Sequence, residues 1–229
     1  MKEVLNHGLV RVVESMGSDL SIVRAARVSY DAAWRAGEDD GKDAKLIDYL
    51  IKNRHTSPFE CVTFTFEVKA PIFVFRQWHR HRTQSISEVS ARYSELPEEF
   101  YIPEVSQITT QSKSNKQQRT FDIHPMAEDV QDTISTTCKK AFEAYHKMLK
   151  QGVPRELARG VLPMNTYSHM FTTINLHNLF HFLSLRLHPH AQFEIRVYAE
   201  AMLELIEPIV PVAVGAWKRH VLEKQNGNQ

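Results

Sequence analysis

The stretch Val62 to Lys69 constrains the fold of this chain more than any other. Val62, Phe64, Phe66 and Val68 alternate with Thr63, Thr65, Glu67 and Lys69. A period of two means a strand with one face buried and the other wet. Pro71 then opens a short apolar helix, Ile72 to Trp78, which delivers the cationic run Arg80-His81-Arg82. Helical patterns dominate elsewhere, without regular βαβ alternation, and no glycine-rich dinucleotide fingerprint follows a strand. The expected fold is α+β: a single domain over 1–229, with a small, mostly antiparallel sheet, several long helices and no Rossmann motif.

The remaining elements follow from caps and periodicity. Leu9 to Glu14 reads as a short strand. A helix capped by Ser18 or Asp19 runs to Tyr30 with Ile22, Ala25 and Ala26 inward, and a second spans Ala44 to Asn53 with Leu46, Tyr49 and Leu50 on one side. Ser57-Pro58-Phe59-Glu60 has the composition of a capping box with proline at the first helical position. Glu104 to Phe121 is rich in Gln, Ser, Thr and Lys without periodicity, which reads as a mobile loop or insertion. Pro125 to Gln151 is a long helix with Met126, Val130, Ile134, Ala141, Tyr145 and Leu149 inward. Pro154 begins another, ending near Leu162. Tyr167 to Ile174 forms a strand, Asn175 caps the helix Leu176 to Leu187, and Pro189 opens a last long helix to about Ile206.

The 229 residues contain 42% hydrophobic residues and only eight glycines, enough for one sizeable core. Net charge is +1, so the arginine cluster is a local feature, better matched to a small anion than to nucleic acid. The N-terminal residues are too polar for a secretory signal, and the longest apolar run, Ile209 to Trp217, is too short to cross a bilayer. A cytoplasmic protein with no membrane partner is expected.

Arg80 to Tyr93 holds three arginines and a histidine among small hydroxyl residues, with Glu88 in their midst. Guanidinium groups do not lose their protons, so such a cluster repels itself unless an anion sits against it, and their fork suits phosphate oxygens. Trp78 and Tyr93 bracket the cluster, which places it at the edge of a pocket.

Arg-His-Arg, seven residues, then Ser90, preceded by Arg76-Gln77-Trp78 and closed by Ser90-Ala91-Arg92-Tyr93-Ser94, resembles the signature of the flavin-dependent thymidylate synthases. The resemblance extends through Val23 to Tyr30, His55 to Glu60, Gly152 to Arg159 and His190 to Ile195. It implies the conversion of dUMP to dTMP, with methylenetetrahydrofolate as carbon donor and FAD, reduced by NADPH, as hydride shuttle. It also implies a homotetramer with shared active sites. Carried over by motif, Ser57, Arg80, His81, Arg82, Glu88, Asn175, His177 and His181 form the flavin set. Glu60 shares the loop of Ser57. Gln77, Arg80, Glu88, Ser90, Arg92, Arg159 and Arg186 form the dUMP set, and Arg186 is the catalytic residue that polarises the pyrimidine. Relatives often carry arginine at position 177 and asparagine at 181, so histidine here weakens a direct phosphate contact at 177. On residues alone, the preferred reading of Arg186 is a cation complementing a helix C-terminus.

Two other readings stand beside this one. His177 and His181, four apart on a helix, with His188 and His190 nearby, have metal-ligand spacing, but no His-Glu-x-x-His word accompanies them and no metal is expected. The arginines with Trp78 and Tyr93 could also stack and neutralise a single strand. The two cysteines, Cys61 and Cys138, read as buried structural thiols without an activating neighbour, so a cofactor rather than a thiolate is expected to carry the chemistry.

Overall fold

The computed structural model describes residues 1–38 and 41–226, so the last three positions of the expected 1–229 domain lie outside the described residues. In chain order its elements are β1 (Lys2–Val4), β2 (Gly8–Met16), α1 (Asp19–Arg27), α2 (Lys42–Lys52), β3 (Thr63–Pro71), α3 (Ile72–Trp78) and β4 (Ser85–Glu88). Then follow β5 (Thr109–Gln111), β6 (Arg119–Ile123), α4 (Ala127–Lys150), α5 (Arg155–Ala158), β7 (Tyr167–Asn175), α6 (Leu176–Arg186), α7 (Phe193–Ile206) and α8 (Pro211–Trp217). The main sheet has the order β1-β2-β3-β7-β4 with every neighbouring pair antiparallel. The single-domain α+β expectation therefore holds.

The period-two strand sets the architecture. Val62, Phe64, Phe66, Val68 and Ala70 are fully buried, and their opposite face pairs polar groups across strands, as in the Thr65–Thr173 hydroxyl contact of 2.9 Å. Helices α1, α3, α6, α7 and α8 supply the other side of this core through Ile22, Phe75, Trp78, Leu183, Tyr198 and Val214. Gly8 allows α7 to reach the sheet: a Cβ there would stand 2.0 Å from the Tyr198 hydroxyl, which donates to the Lys69 carbonyl at 2.8 Å. A second core, built on Phe100, Cys138, Phe142, Tyr145 and Ala158, packs α4 against α5.

Several local expectations are corrected. Segment 104–121 is not structureless: a 3-10 turn at Val105–Gln107 leads into the hairpin β5–β6, pinned by Thr110–Thr120 at 2.6 Å and by Arg119 reaching Glu194. Ser57–Cys61 is a 3-10 turn with no side-chain cap, so the expected capping box does not form. The box occurs instead at α1, between Ser18 and Ser21. Asp19 caps not its own helix but α8, accepting from the backbone N–H of Val212 at 3.0 Å and Ala213 at 2.9 Å. Burial nonetheless leaves its pKa raised, outweighing those two donors. Tyr49 and Met126 point outward, because Ile47 and Leu50 in α2, and Ala127, Cys138, Phe142 and Tyr145 in α4, define the inner faces. Cys61 is exposed rather than buried; Cys138 is buried as expected. Among the described residues, no helix is long and apolar enough to cross a membrane.

Candidate active site

The site is built where α3 ends and α6 passes beneath it. Pro71 fixes the entry of α3, whose apolar face sinks Val74, Phe75 and Trp78 into the core. With Trp78 locked, the chain turns at once, and Gln84 holds the turn. Its amide donates to the His81 carbonyl at 2.8 Å, while its Oε1 accepts from Trp78 Nε1 at 3.3 Å and Thr172 Oγ1 at 2.7 Å. Sequence reasoning did not single out Gln84; a lone glutamine between arginines carries no signal of this kind.

Arg186, the last residue of α6, is half-buried, and burial presses its pKa below the ordinary arginine value. Its Nε donates to His81 Nε2 at 3.0 Å and its Nη2 to the Gln77 carbonyl at 3.2 Å. The side chain therefore crosses to α3, rather than folding back on its own helix terminus. His81 is buried, and its ring must be neutral to accept from a guanidinium. Burial first, then the charges of Arg186 and His181, hold its pKa down to about 4. Among the described residues no carboxylate pairs with Arg186. A cation held by neutral acceptors keeps its full field for a ligand.

The His81 ring meets that of His181 edge-on at 6.0 Å, and His181 opens onto a cleft of about 700 Å³. The floor of the cleft is aromatic: Phe180 stacks on Trp217 at 5.0 Å and leans on Phe59 at 6.4 Å. Its walls include Lys52, Arg54, His55, His177 and Lys224, with no carboxylate side chain in the lining. Flat apolar surfaces beside Lys52, Arg54 and Lys224, which have no ion-pair partner among the described residues, fit an aromatic ligand bearing phosphates, which is the chemistry of FAD. Asn175 caps α6, its Oδ1 accepting from Asn178 N at 2.9 Å, and so sets the first turn that carries His177.

The other expected residues sit outside this cluster. Arg80 and Arg82 are exposed and have no ion-pair partner among the described residues. Glu88, on edge strand β4, accepts from Ser168 Oγ at 2.6 Å and lies 3.7 Å from His79 Nε2. Ser90 Oγ accepts from Arg92 N at 3.3 Å, and Arg92 lies 3.5 Å from Glu156. Arg159 lies exposed in the 3-10 turn after α5, and Ser57 is exposed in the turn that packs Phe59 against α6. The structure thus joins Gln77, His81, His181 and Arg186 by direct contact. Among the described residues, no hydrogen bond or ion pair links Glu88, Ser90, Arg92 or Arg159 to that group. Of the expected pocket-edge aromatics, Trp78 is fully buried in the core and only Tyr93 is exposed. A stacking surface for single-stranded nucleic acid is therefore not formed by this pair. No group of three or more His, Cys, Asp or Glu able to hold a metal occurs among the described residues.

Known proteins resemble this arrangement over almost the whole chain. The family model described as thymidylate synthase complementing protein matches residues 11–212. A flavin-dependent thymidylate synthase of Thermus thermophilus is 50% identical over 220 residues, covering 96% of this chain and 79% of the relative. One of Treponema denticola is 48% identical over 222 residues, covering 95% and 82%. Among solved structures, the UMP/dUMP methylase PolB from Streptomyces cacaoi, bound with 5-Br dUMP, superposes with a TM-score of 0.87 at 38% identity, over 96% of this chain and 98% of that one.

Proposed function

This chain belongs to the family of flavin-dependent thymidylate synthases, and from that premise we propose how its residues methylate dUMP. It is a methyltransferase that converts dUMP to dTMP with a flavin cofactor, FAD. Methylenetetrahydrofolate is the proposed carbon donor and NADPH the proposed reductant. The aromatic-floored cleft would hold FAD, which would supply the hydride that completes the new methyl group. His177, His181 and Asn175 would hold it from α6, Ser57 from the facing turn, and Arg80, His81, Arg82 and Glu88 from the segment after α3.

Arg186 is the catalytic residue. Its guanidinium receives the pyrimidine of dUMP and stabilises negative charge as the ring loses its N3 proton. A fixed cation beside a developing anion, away from water, is worth several kcal/mol, roughly. The observation that carries this role is the pairing of Arg186 with a neutral His81 and a backbone carbonyl, with no acidic partner among the described residues. Gln77, Arg80, Glu88, Ser90, Arg92 and Arg159 complete the nucleotide site. Ser90 serves as a hydrogen-bond partner, since it has no base beside it to make it a nucleophile.

We propose a homotetramer whose active sites are shared. Its support is that, among the described residues, no hydrogen bond or ion pair joins Glu88, Ser90 or Arg92 to the Arg186 group, and that Arg80 and Arg82 stand exposed with no ion-pair partner. The proposed compartment is the cytoplasm, where nucleotide biosynthesis provides dUMP. Tritium release from dUMP labelled at C5 tests the whole reading, with FAD, methylenetetrahydrofolate and NADPH omitted in turn. Release that persists without flavin, or fails with all components present, would refute it.

A further inference from the structure

A buried carboxylate lies close to this site but belongs to none of the sets above. Glu194, in the first turn of α7, is 3% exposed. Taking a carboxylate out of water costs several kcal/mol, roughly, unless its lone pairs are filled. Three groups fill them: Arg119 Nη2 from the β5–β6 hairpin at 3.0 Å, the Tyr101 hydroxyl at 3.3 Å and Gln192 Nε2 at 2.8 Å. Burial, then the neighbouring Glu194 charge, pushes the Tyr101 pKa up, so this hydroxyl remains a donor.

The third contact has a directional consequence. An ionised carboxylate only accepts, so the Gln192 side chain must turn its NH2 toward Glu194 and its Oε1 away. That Oε1 accepts from Gln77 Nε2. Gln77 in turn has its NH2 committed and its Oε1 left as an acceptor, with no partner among the described residues. The backbone carbonyl of the same Gln77 receives Arg186 Nη2 at 3.2 Å. A glutamine alone can present either end of its amide at similar cost; one tied through a second amide to a carboxylate can present only one.

We propose that Glu194 and Gln192 form a positioning relay that fixes the amide polarity of Gln77, so that its Oε1 faces the nucleotide as a hydrogen-bond acceptor. Neither residue touches substrate; both act through Gln77. The inference rests on the reading of Gln77 as part of the dUMP site.

The test is a double-mutant cycle on dUMP binding, measured by calorimetry on the flavin-loaded protein. Gln192→Leu should weaken dUMP about tenfold, the scale of one lost hydrogen bond. The flavin spectrum should hold, because Gln192 belongs to no part of the flavin set, and the melting temperature should fall only modestly, because Arg119 and Tyr101 still fill Glu194. In a Gln77→Leu background the same change should add little, since its effect passes through Gln77. Glu194→Gln, which can donate or accept, should also weaken dUMP in the Gln77 parent and add little without it. Unchanged dUMP affinity in Gln192→Leu, or losses that add fully in the double variant, would overturn the relay. If Gln77→Leu alone left dUMP affinity unchanged, the underlying site reading would fail, and the relay with it.

Discussion

His81 offers a prediction whose size follows from its surroundings. The ring is 8% exposed and accepts from Arg186, so in the native state it resists protonation down to about pH 4, against an ordinary value of 6.5. The native pKa is the lower one. Between the two values the unfolded chain binds a proton that the folded chain refuses, and stability falls as pH falls. The contribution is fully present above the unfolded pKa and is lost progressively toward the folded one. From about pH 7 to about pH 5 the loss at this residue is about 2 kcal/mol. Eleven other histidines and many carboxylates also titrate, so the wild type alone does not isolate it. His81→Gln does: its Oε1 can accept from Arg186 but takes up no proton in this range. Urea unfolding of both proteins at both pH values gives the difference directly. The variant should lose about 2 kcal/mol less on acidification. Equal acid sensitivity in the two proteins would show that His81 is not held neutral, and would remove the argument that Arg186 keeps its charge for a ligand.

Other outcomes are more direct. Arg82→Ala should weaken FAD about tenfold, the scale of one charge-assisted contact to phosphate, read by flavin fluorescence titration; unchanged affinity would refute its placement. Cys61→Ser with Cys138→Ala should leave dTMP formation within about threefold of wild type, because neither thiol touches the Arg186 group and Cys138 is engaged with Asn165. Loss of turnover in the folded double variant would reinstate a cysteine mechanism. Asn175→Ala should cost about 1 kcal/mol in urea unfolding through the lost cap of α6. It should also weaken FAD if Asn175 meets the flavin, whereas a stability loss alone would leave it a cap only.

Legibility in the sequence tracked how local each cause was. The alternation of β3, the Pro71 entry to α3 and the Asn175 cap are decided by adjacent residues, and they stand where periodicity put them. The β5–β6 hairpin was unreadable because its strands are short and bury no face, Phe121 and Ile123 standing exposed, and because it is held by Arg119 on Glu194, 75 residues away. Ser57 and Glu60 carried the right spacing for a capping box, but the chain makes only a 3-10 turn before β3 claims it. Tyr49 and Met126 lay on faces that tertiary packing rotated outward. At the site, motif resemblance named Arg186 where residue chemistry alone favoured a dipole role. The reason for its unspent charge, a neutral His81 more than a hundred positions earlier in the chain, required the fold. Gln84 gave no signal, and Gln192 and Glu194, though they lie in the His190 to Ile195 stretch of the resemblance, received no role, since their work lies in contacts that no local pattern encodes.

The most direct test of the central claim compares two half-reactions in Arg186→Lys. Lysine keeps a positive charge and would complement the end of α6 equally well, but it lacks the planar fork that reaches His81 and Gln77 together and is proposed to hold the uracil. Flavin reduction by NADPH without dUMP should proceed at the wild-type rate. The rate of dTMP formation should fall tenfold or more, corresponding to roughly 1.4 kcal/mol or above of lost transition-state stabilisation. Near-wild-type dTMP formation in a stable Arg186→Lys protein would contradict the account.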